Sequence, residues 1–261
     1  MNWHPDWAGV VTGQPLQWII SGFLTTLYVS VIASLFATLL VVLLLVLRLS
    51  PSRVAQGAVA AFVSLFRNTP LLVQLLFWYF AAWGALPQTW RFYIGDIHPW
   101  ATFPGDISWL TPEFLCVVWG LGLFTAAFLV EEVQAGLNSV PKGQREAAVS
   151  QGFSRWTLLR SILLPQALTN AWQPIAGQYL NLMKLSSLAT GIGFSELTYQ
   201  VSRIESYNAH AFEGFAVGTA LYLLLGVVLG GLLTAFGPKR PRRHQPRQAD
   251  SPLTERSEDG I

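Results

Sequence analysis

Trp18 to Leu47 is a run of 30 residues without one charged side chain. A helix rises 1.5 Å per residue and the hydrocarbon core of a bilayer is about 30 Å thick, so about 20 apolar residues cross it. Further apolar blocks fall at 54–83, 114–133, 164–183 and 214–237. Charged residues make up 11% of the chain, against roughly a quarter in a soluble domain. The expectation is an all-α polytopic membrane protein of about five spans. It comprises an N-terminal segment over 1–17, a membrane domain over 18–237 and a disordered tail over 238–261. The first 15 residues contain no basic side chain to serve as a signal-peptide n-region, so the first block reads as an uncleaved span.

Orientation follows from where the basic residues lie. If the first block runs from outside to inside, the internal pieces are 48–53, 134–163 and 238–261, and they hold 12 of the 16 Lys and Arg residues. The external pieces keep Arg91, Lys184 and Arg203, and Arg67 lies inside the second block. The positive-inside rule then puts the N-terminus outside and the C-terminus in the cytoplasm. Trp90, Trp100 and Trp109 punctuate the external loop 84–113 as interfacial anchors do.

Several function classes fall away. His4, His98, His210 and His244 are scattered, neither HExxH nor GxSxG occurs, and the single Cys116 sits in an apolar block. The three lysines, Lys142, Lys184 and Lys239, follow Pro or Met rather than the Gly of a P-loop. Neither an enzyme nor a resident metal or cofactor is expected. The basic residues of the tail are not interleaved with aromatics, which argues against nucleic acid and leaves the lipid bilayer as their partner.

The fourth block carries amides where a lipid-facing helix would be apolar. Asn170, Gln173, Gly177, Asn181 and Lys184 recur at intervals of three and four and share one helical face. Unpaired amides in hydrocarbon cost several kcal/mol each, so that face meets other helices or a cavity. Two readings stand: polar glue between helices, worth about 1 kcal/mol per contact, and a solute pathway. The second block holds Arg67, Asn68, Thr69 and Pro70 near its middle, which predicts a broken helix with Thr69 as cap and Pro70 as first helical residue. Such a break either aims a helix N-terminus at a carboxylate, or lays 54–66 along the interface with Arg67 snorkelling to water. Glu131, about 27 Å along a helix begun at Phe114, is an interfacial carboxylate, a partner for Arg67 or a partner for an ammonium.

Between the third and fourth blocks stands SVPKGQREAAVSQGFSRWTLLRSILLPQ. It reads as a short helix over 144–151 broken by Gly152, then a second helix capped by Ser154, with Pro165 where the chain turns into the membrane. Within it Glu146, Ala147, Ala148, Gly152, Ile162, Leu164 and Pro165 are spaced as EAA, three residues, G, nine residues, I, one residue, LP. This resembles the EAA loop of ABC-importer permeases, here over 144–165. FRNTPLLVQLLFWYF (66–80), FTAAFLVEEVQAGLNSVPKGQ (124–144) and KLSSLATGIGFSEL (184–197) are similar to the polar amino acid branch, and most resemble glutamate/aspartate permeases. Asn68 stands where that branch often has glycine, and Gln134 where it often has arginine.

The resemblance implies a type I importer (MetI-like) arrangement. The seven EAA residues then contact a dimeric ABC ATPase, a second permease chain (self or paralogue) completes the pathway, and an external binding protein delivers the amino acid. The expected solute pathway joins the residues of the break and of the polar face, Arg67, Asn68, Thr69, Gln74, Glu131, Asn170, Gln173, Asn181 and Lys184, to Ser186 and Ser187, whose contact with solute the resemblance implies. A stand-alone secondary transporter would use the polar fourth block and the broken second block equally well, but has no need of an EAA loop.

Overall fold

The computed structural model describes residues 5–238 and is built almost entirely of helices. After a short α1 (Ala8–Val11), α2 runs from Gly13 to Leu49. At 1.5 Å per residue its 37 residues measure about 55 Å, longer than a hydrocarbon core, so α2 crosses at a tilt or projects beyond it. Its sequence is apolar all round, yet its buried stripe is made of smaller side chains: Thr26, Val29, Ser30, Ala33, Ala37 and Val41. Leu35, Leu39, Leu43 and Val46 point outward. With no hydrophobic contrast between lipid and interior, small residues mark the packed face because they let helices approach.

The second block is two helices, as its sequence predicts. α3 (Arg53–Arg67) starts at Ser52, whose Oγ accepts the Ala55 N–H at 3.3 Å, and buries only Val59, Val63 and Phe66 on one stripe. α4 (Leu71–Leu76) continues into a π-helical turn over Phe77–Ala82, and the axis turns by 104° between α3 and α4. The capping arrangement at this corner differs from the expected one. Pro70 is the residue before α4 rather than its first helical residue, with an extended ψ of 135°. The Thr69 hydroxyl turns back to donate to the Leu65 carbonyl at 2.8 Å. Buried Gln74 takes over, its Nε2 donating to the Phe66 carbonyl (3.0 Å), the Thr69 carbonyl (3.1 Å) and Thr69 Oγ1 (2.7 Å). A side chain of α4 thus satisfies backbone acceptors left over by α3.

The loop 84–111 is ordered: α5 (Gln88–Gly95), a 3₁₀ turn at Pro99–Ala101 and an antiparallel hairpin of β1 (Thr102–Phe103) and β2 (Ile107–Ser108). Trp109 packs on Trp100 and Phe103, while Trp90 and Trp100 remain exposed. α6 (Pro112–Asn138) is capped by Thr111, which accepts the Phe114 N–H at 3.2 Å. It is the central helix, and runs two turns past Glu131 rather than ending there. Cys116 is buried and points its Sγ at the Trp78 carbonyl.

Beyond α6 come α7 (Lys142–Ser150), α8 (Arg155–Leu158) with a π turn over Leu159–Leu163, and α9 (Leu164–Leu185). A 3₁₀ segment (Ser186–Ile192), α10 (Leu197–Asn208) and α11 (Ala211–Phe236) complete the described chain. Among the described residues α2, α6 and α11 are each long and apolar enough to cross a membrane, and the bent α3–α4 pair, taken together, has the length and composition of a broken span or a re-entrant loop. α9, the remaining predicted span, has the length at 22 residues, but its amides keep it from qualifying by composition. The core lies where α2, α6 and α9 meet, around Ala37, Val41, Ala126, Val130, Val133, Ala167 and Ala171. At Gly136 the backbones of α6 and α9 themselves come together, and an added Cβ would lie 2.4 Å from the Ala167 carbonyl oxygen. The predicted tail falls outside the described residues from 239 onward.

Candidate functional site: a protruding helical knob and an open polar face

The segment from α7 to α8 forms a knob whose root is in the core and whose outer side is bare. Ala148 and Leu158 are buried in the main core. Glu146, Ala147, Val149, Phe153 and Trp156 are exposed, Trp156 at 64%. The turn between the helices depends on Gly152, whose φ of +79° is a left-handed conformation that costs an L-residue about 1–2 kcal/mol. Its N–H donates to the Val149 carbonyl at 3.0 Å, and the Phe153 N–H to Ala148 at 3.1 Å, closing α7. Ser154 then caps α8 by accepting the Thr157 N–H at 3.2 Å. Of the other motif positions, Ile162 packs against the core, Leu164 is half-buried and Pro165 is exposed at the start of α9. Glu146, Ala147, Gly152 and Pro165 therefore reach the surface, while Ala148 and Ile162 anchor the knob from beneath.

The second surface is the polar face of α9. Asn170, Gln173, Gly177, Asn181 and Lys184 are all exposed, and a Cβ at Gly177 would touch nothing within 4 Å. Asn170 donates to Ser139 Oγ at 2.9 Å. Among the described residues Gln173, Asn181 and Lys184 have no side-chain hydrogen bond or ion pair. Ser186 lies apart from this face: it is fully buried, its hydroxyl donating to the Met183 carbonyl at 2.7 Å. The Ser187 hydroxyl donates to the Lys184 carbonyl at 2.8 Å.

Glu131 is engaged within the chain. Arg48 Nη1 donates to Glu131 Oε1 at 2.5 Å, and Arg67 Nη1 lies 3.8 Å from Oε2, its guanidinium 5.0 Å from the Phe128 ring centroid. One carboxylate on α6 thus faces cations from α2 and α3, leaving it an intramolecular clasp rather than a free anion. Of the residues expected at the break, Asn68 is exposed and bonds to Ser64, whereas Gln74 is buried.

Sequence reading missed a buried polar junction at the other end of α9. Glu196, with no exposed surface, accepts from Thr190 Oγ1 (2.6 Å), the Tyr199 N–H (2.9 Å) and the Tyr222 hydroxyl, and the adjacent Leu197 N–H donates to Thr26 Oγ1 (3.1 Å). The junction ties the 3₁₀ segment, α10, α11 and α2 together. Its one local signal is an N-cap position ahead of LTYQV; the partners are 26 and 171 residues away.

A family model described as "Binding-protein-dependent transport system inner membrane component" matches residues 45–241. The chain is 34% identical over 221 residues to the glutamate/aspartate import permease protein GltJ of Escherichia coli (strain K12), covering 84% of this chain and 85% of that one. It is 29% identical over 228 residues to the glutamine transport system permease protein GlnP of the same strain, covering 87% and 94%. Its fold matches a crystal structure of an amino acid ABC transporter with histidines at a TM-score of 0.72 and 25% identity, over 90% of this chain and 98% of that one. These findings bear out the expected all-α type I importer fold and the polar amino acid branch.

Proposed function

Because the chain belongs to the inner membrane components of binding-protein-dependent transport systems, we propose that its two bare surfaces are the ATPase seat and the solute wall of an amino acid importer. The chain is a multi-pass permease, a transport component, of such an ABC importer. The observation that carries the proposal is the placement of both surfaces on consecutive elements. The knob leads straight through the π turn into α9, whose polar face, apart from Asn170, has no side-chain partner among the described residues. In this reading Glu146, Ala147, Gly152 and the exposed aromatic Phe153 sit in a groove of a separate ATPase subunit. The α9 face meets a second permease chain across a water-filled pathway, and an external binding protein loads it. The basic knob lies in the cytoplasm and the N-terminus outside, in keeping with the positive-inside rule.

The solute is an acidic amino acid. Lys184 is an exposed cation free of any carboxylate among the described residues, and the amides of Gln173 and Asn181 extend the same face. Glu131, the carboxylate that would suit a basic side chain, is occupied by Arg48 and Arg67. The likeness to a glutamate/aspartate import permease agrees with this choice. Uptake of labelled glutamate in cells carrying the whole system tests it. Excess aspartate should compete strongly, and glutamine, histidine and arginine weakly. Competition by glutamine or arginine with none by aspartate overturns the acidic assignment.

A further inference from the structure

α9 divides two environments. Gln173, Gly177, Asn181 and Lys184 occupy one side. About half a turn round the same helix, Leu168, Trp172, Ile175 and Tyr179 wall a groove of about 880 Å³ that α2 and α6 close from the other side. The α2 wall runs from Thr38 to Ser50, a rise of about 18 Å, which is close to half of a hydrocarbon core about 30 Å thick. Toward the middle of the bilayer the Thr38 and Tyr179 hydroxyls, 2.7 Å apart, bridge α2 and α9 and divide this groove from a second apolar one walled by Leu27, Val31, Leu225 and Val228. The groove is therefore one leaflet deep.

Its mouth is chemically different from its walls. At the Ser50 end stand Arg155 and Trp156 of α8; no carboxylate lines the groove, and among the described residues no acid pairs with Arg155. An apolar slot one leaflet long with a free guanidinium and an indole at its mouth matches the two ends of a phospholipid. We infer that the groove holds an acyl chain of one anionic phospholipid from the leaflet beside the basic knob, with the headgroup phosphate on Arg155 and Trp156 at the interface. A purely apolar transmembrane helix of a partner chain would cover the walls but bring no counter-charge to Arg155. The lipid supplies both. The inference rests on the membrane-permease reading above and not on the identity of the solute.

Native mass spectrometry of the full chain, purified with the subunits it brings along, delipidated and titrated with phosphatidylglycerol or phosphatidylcholine, tests this. Each copy should retain one phosphatidylglycerol at a concentration about tenfold below that needed for phosphatidylcholine, the effect of one charge-assisted contact. Arg155→Gln should abolish that preference, and Val42→Trp, which fills the slot, should lower retention of both lipids. The same spectra show whether each variant is assembled; if Val42→Trp is not, Leu45→Phe replaces it. Equal retention of the two lipids by the unaltered protein overturns the inference, as does undiminished phosphatidylglycerol retention in an assembled slot-filling variant. Loss of a protein subunit from Val42→Trp, with no lipid retained by the parent, would make the groove a helix seat and equally overturn it. Because retention is read without transport, failure here leaves the permease reading intact, and absence of an ATPase from the preparation leaves the lipid result standing.

Discussion

The guanidinium of Arg48 and the carboxylate of Glu131 meet at 2.5 Å, joining the end of α2 to the start of the last third of α6. Arg67 stands on the other carboxylate oxygen at 3.8 Å, so removing Glu131 strands two cations, whereas removing Arg67 strands none. Glu131→Gln should destabilise the purified protein by about 1–2 kcal/mol, the half-exposed setting keeping the figure below that of a buried pair. Arg67→Gln should cost less than about 1 kcal/mol. Thermal unfolding followed by size-exclusion fluorescence ranks the two; a larger effect for Arg67→Gln would show that Glu131 is not the centre of the clasp.

At Gly152 the strain is purely one of backbone, since a Cβ there would meet nothing within 4 Å. Substitutions should therefore rank by their tolerance of positive φ: Gly152→Asn mild, Gly152→Ala intermediate, Gly152→Val worst at about 1–2 kcal/mol. Membrane insertion should survive in all three while ATPase co-purification and uptake fall in the same order. Uptake by Gly152→Val equal to that of the parent would remove the knob from the coupling path.

Lys184 and Asn181 contribute nothing to the packing of the isolated chain, so Lys184→Gln and Asn181→Leu should leave its stability within about 0.5 kcal/mol. Uptake should nonetheless suffer, with Lys184→Gln raising the KM for glutamate more than it lowers the maximal rate. Unchanged kinetics in both variants would take the α9 face out of the pathway.

Much of this arrangement was legible in the sequence, and the part that was not has a common cause. The uncharged run Trp18–Leu47, the period of the α9 amides and the spacing around Gly152 are local patterns, and each corresponds to a helix, a face or a turn in the structure. Arg48–Glu131 and Glu196–Tyr222 join residues 83 and 26 apart, and no local period encodes such pairings. Thr69 misled for another reason. Its hydroxyl had two acceptable partners, the α4 N-terminus and the carbonyl four residues back, and Gln74 bonding to the turn settled the competition. The ordered loop 84–111 hid because its elements are two to eight residues long.

A pH response is expected at the N-terminus. His210 sets Nδ1 2.7 Å from the Asn208 carbonyl and Nε2 3.4 Å from an Asp6 carboxylate oxygen, so both ring nitrogens face acceptors and both are satisfied only in the imidazolium. The Asn208 carbonyl raises its pKa above 6.5 most strongly; burial, the next largest influence, opposes it, and Asp6 and Glu213 add smaller upward effects. A raised pKa stabilises the folded form fully below the ordinary value of 6.5, and that contribution is lost as pH rises through the folded value. Hydrogen exchange at Ala8–Val11, the helix held here through Asn208 and Gly9, should accelerate over that interval beyond its intrinsic increase, and His210→Gln should abolish the excess. Protection independent of pH would refute the linkage.

At Gly136 the backbones of α6 and α9 come so near that a methyl group would strike the Ala167 carbonyl. Replacement by Ala or Val should cost at least about 1–3 kcal/mol, read from the same melting experiment, and a neutral result would mean the helices have room to separate. The consequence is mechanical. Two helices locked at that distance form a strut with no slip plane, carrying the knob at one end and the polar wall along its length. On the proposed coupling role of the knob, a push at Glu146 and Phe153 would therefore reach Asn181 and Lys184 as displacement of the whole strut rather than as sliding between its helices.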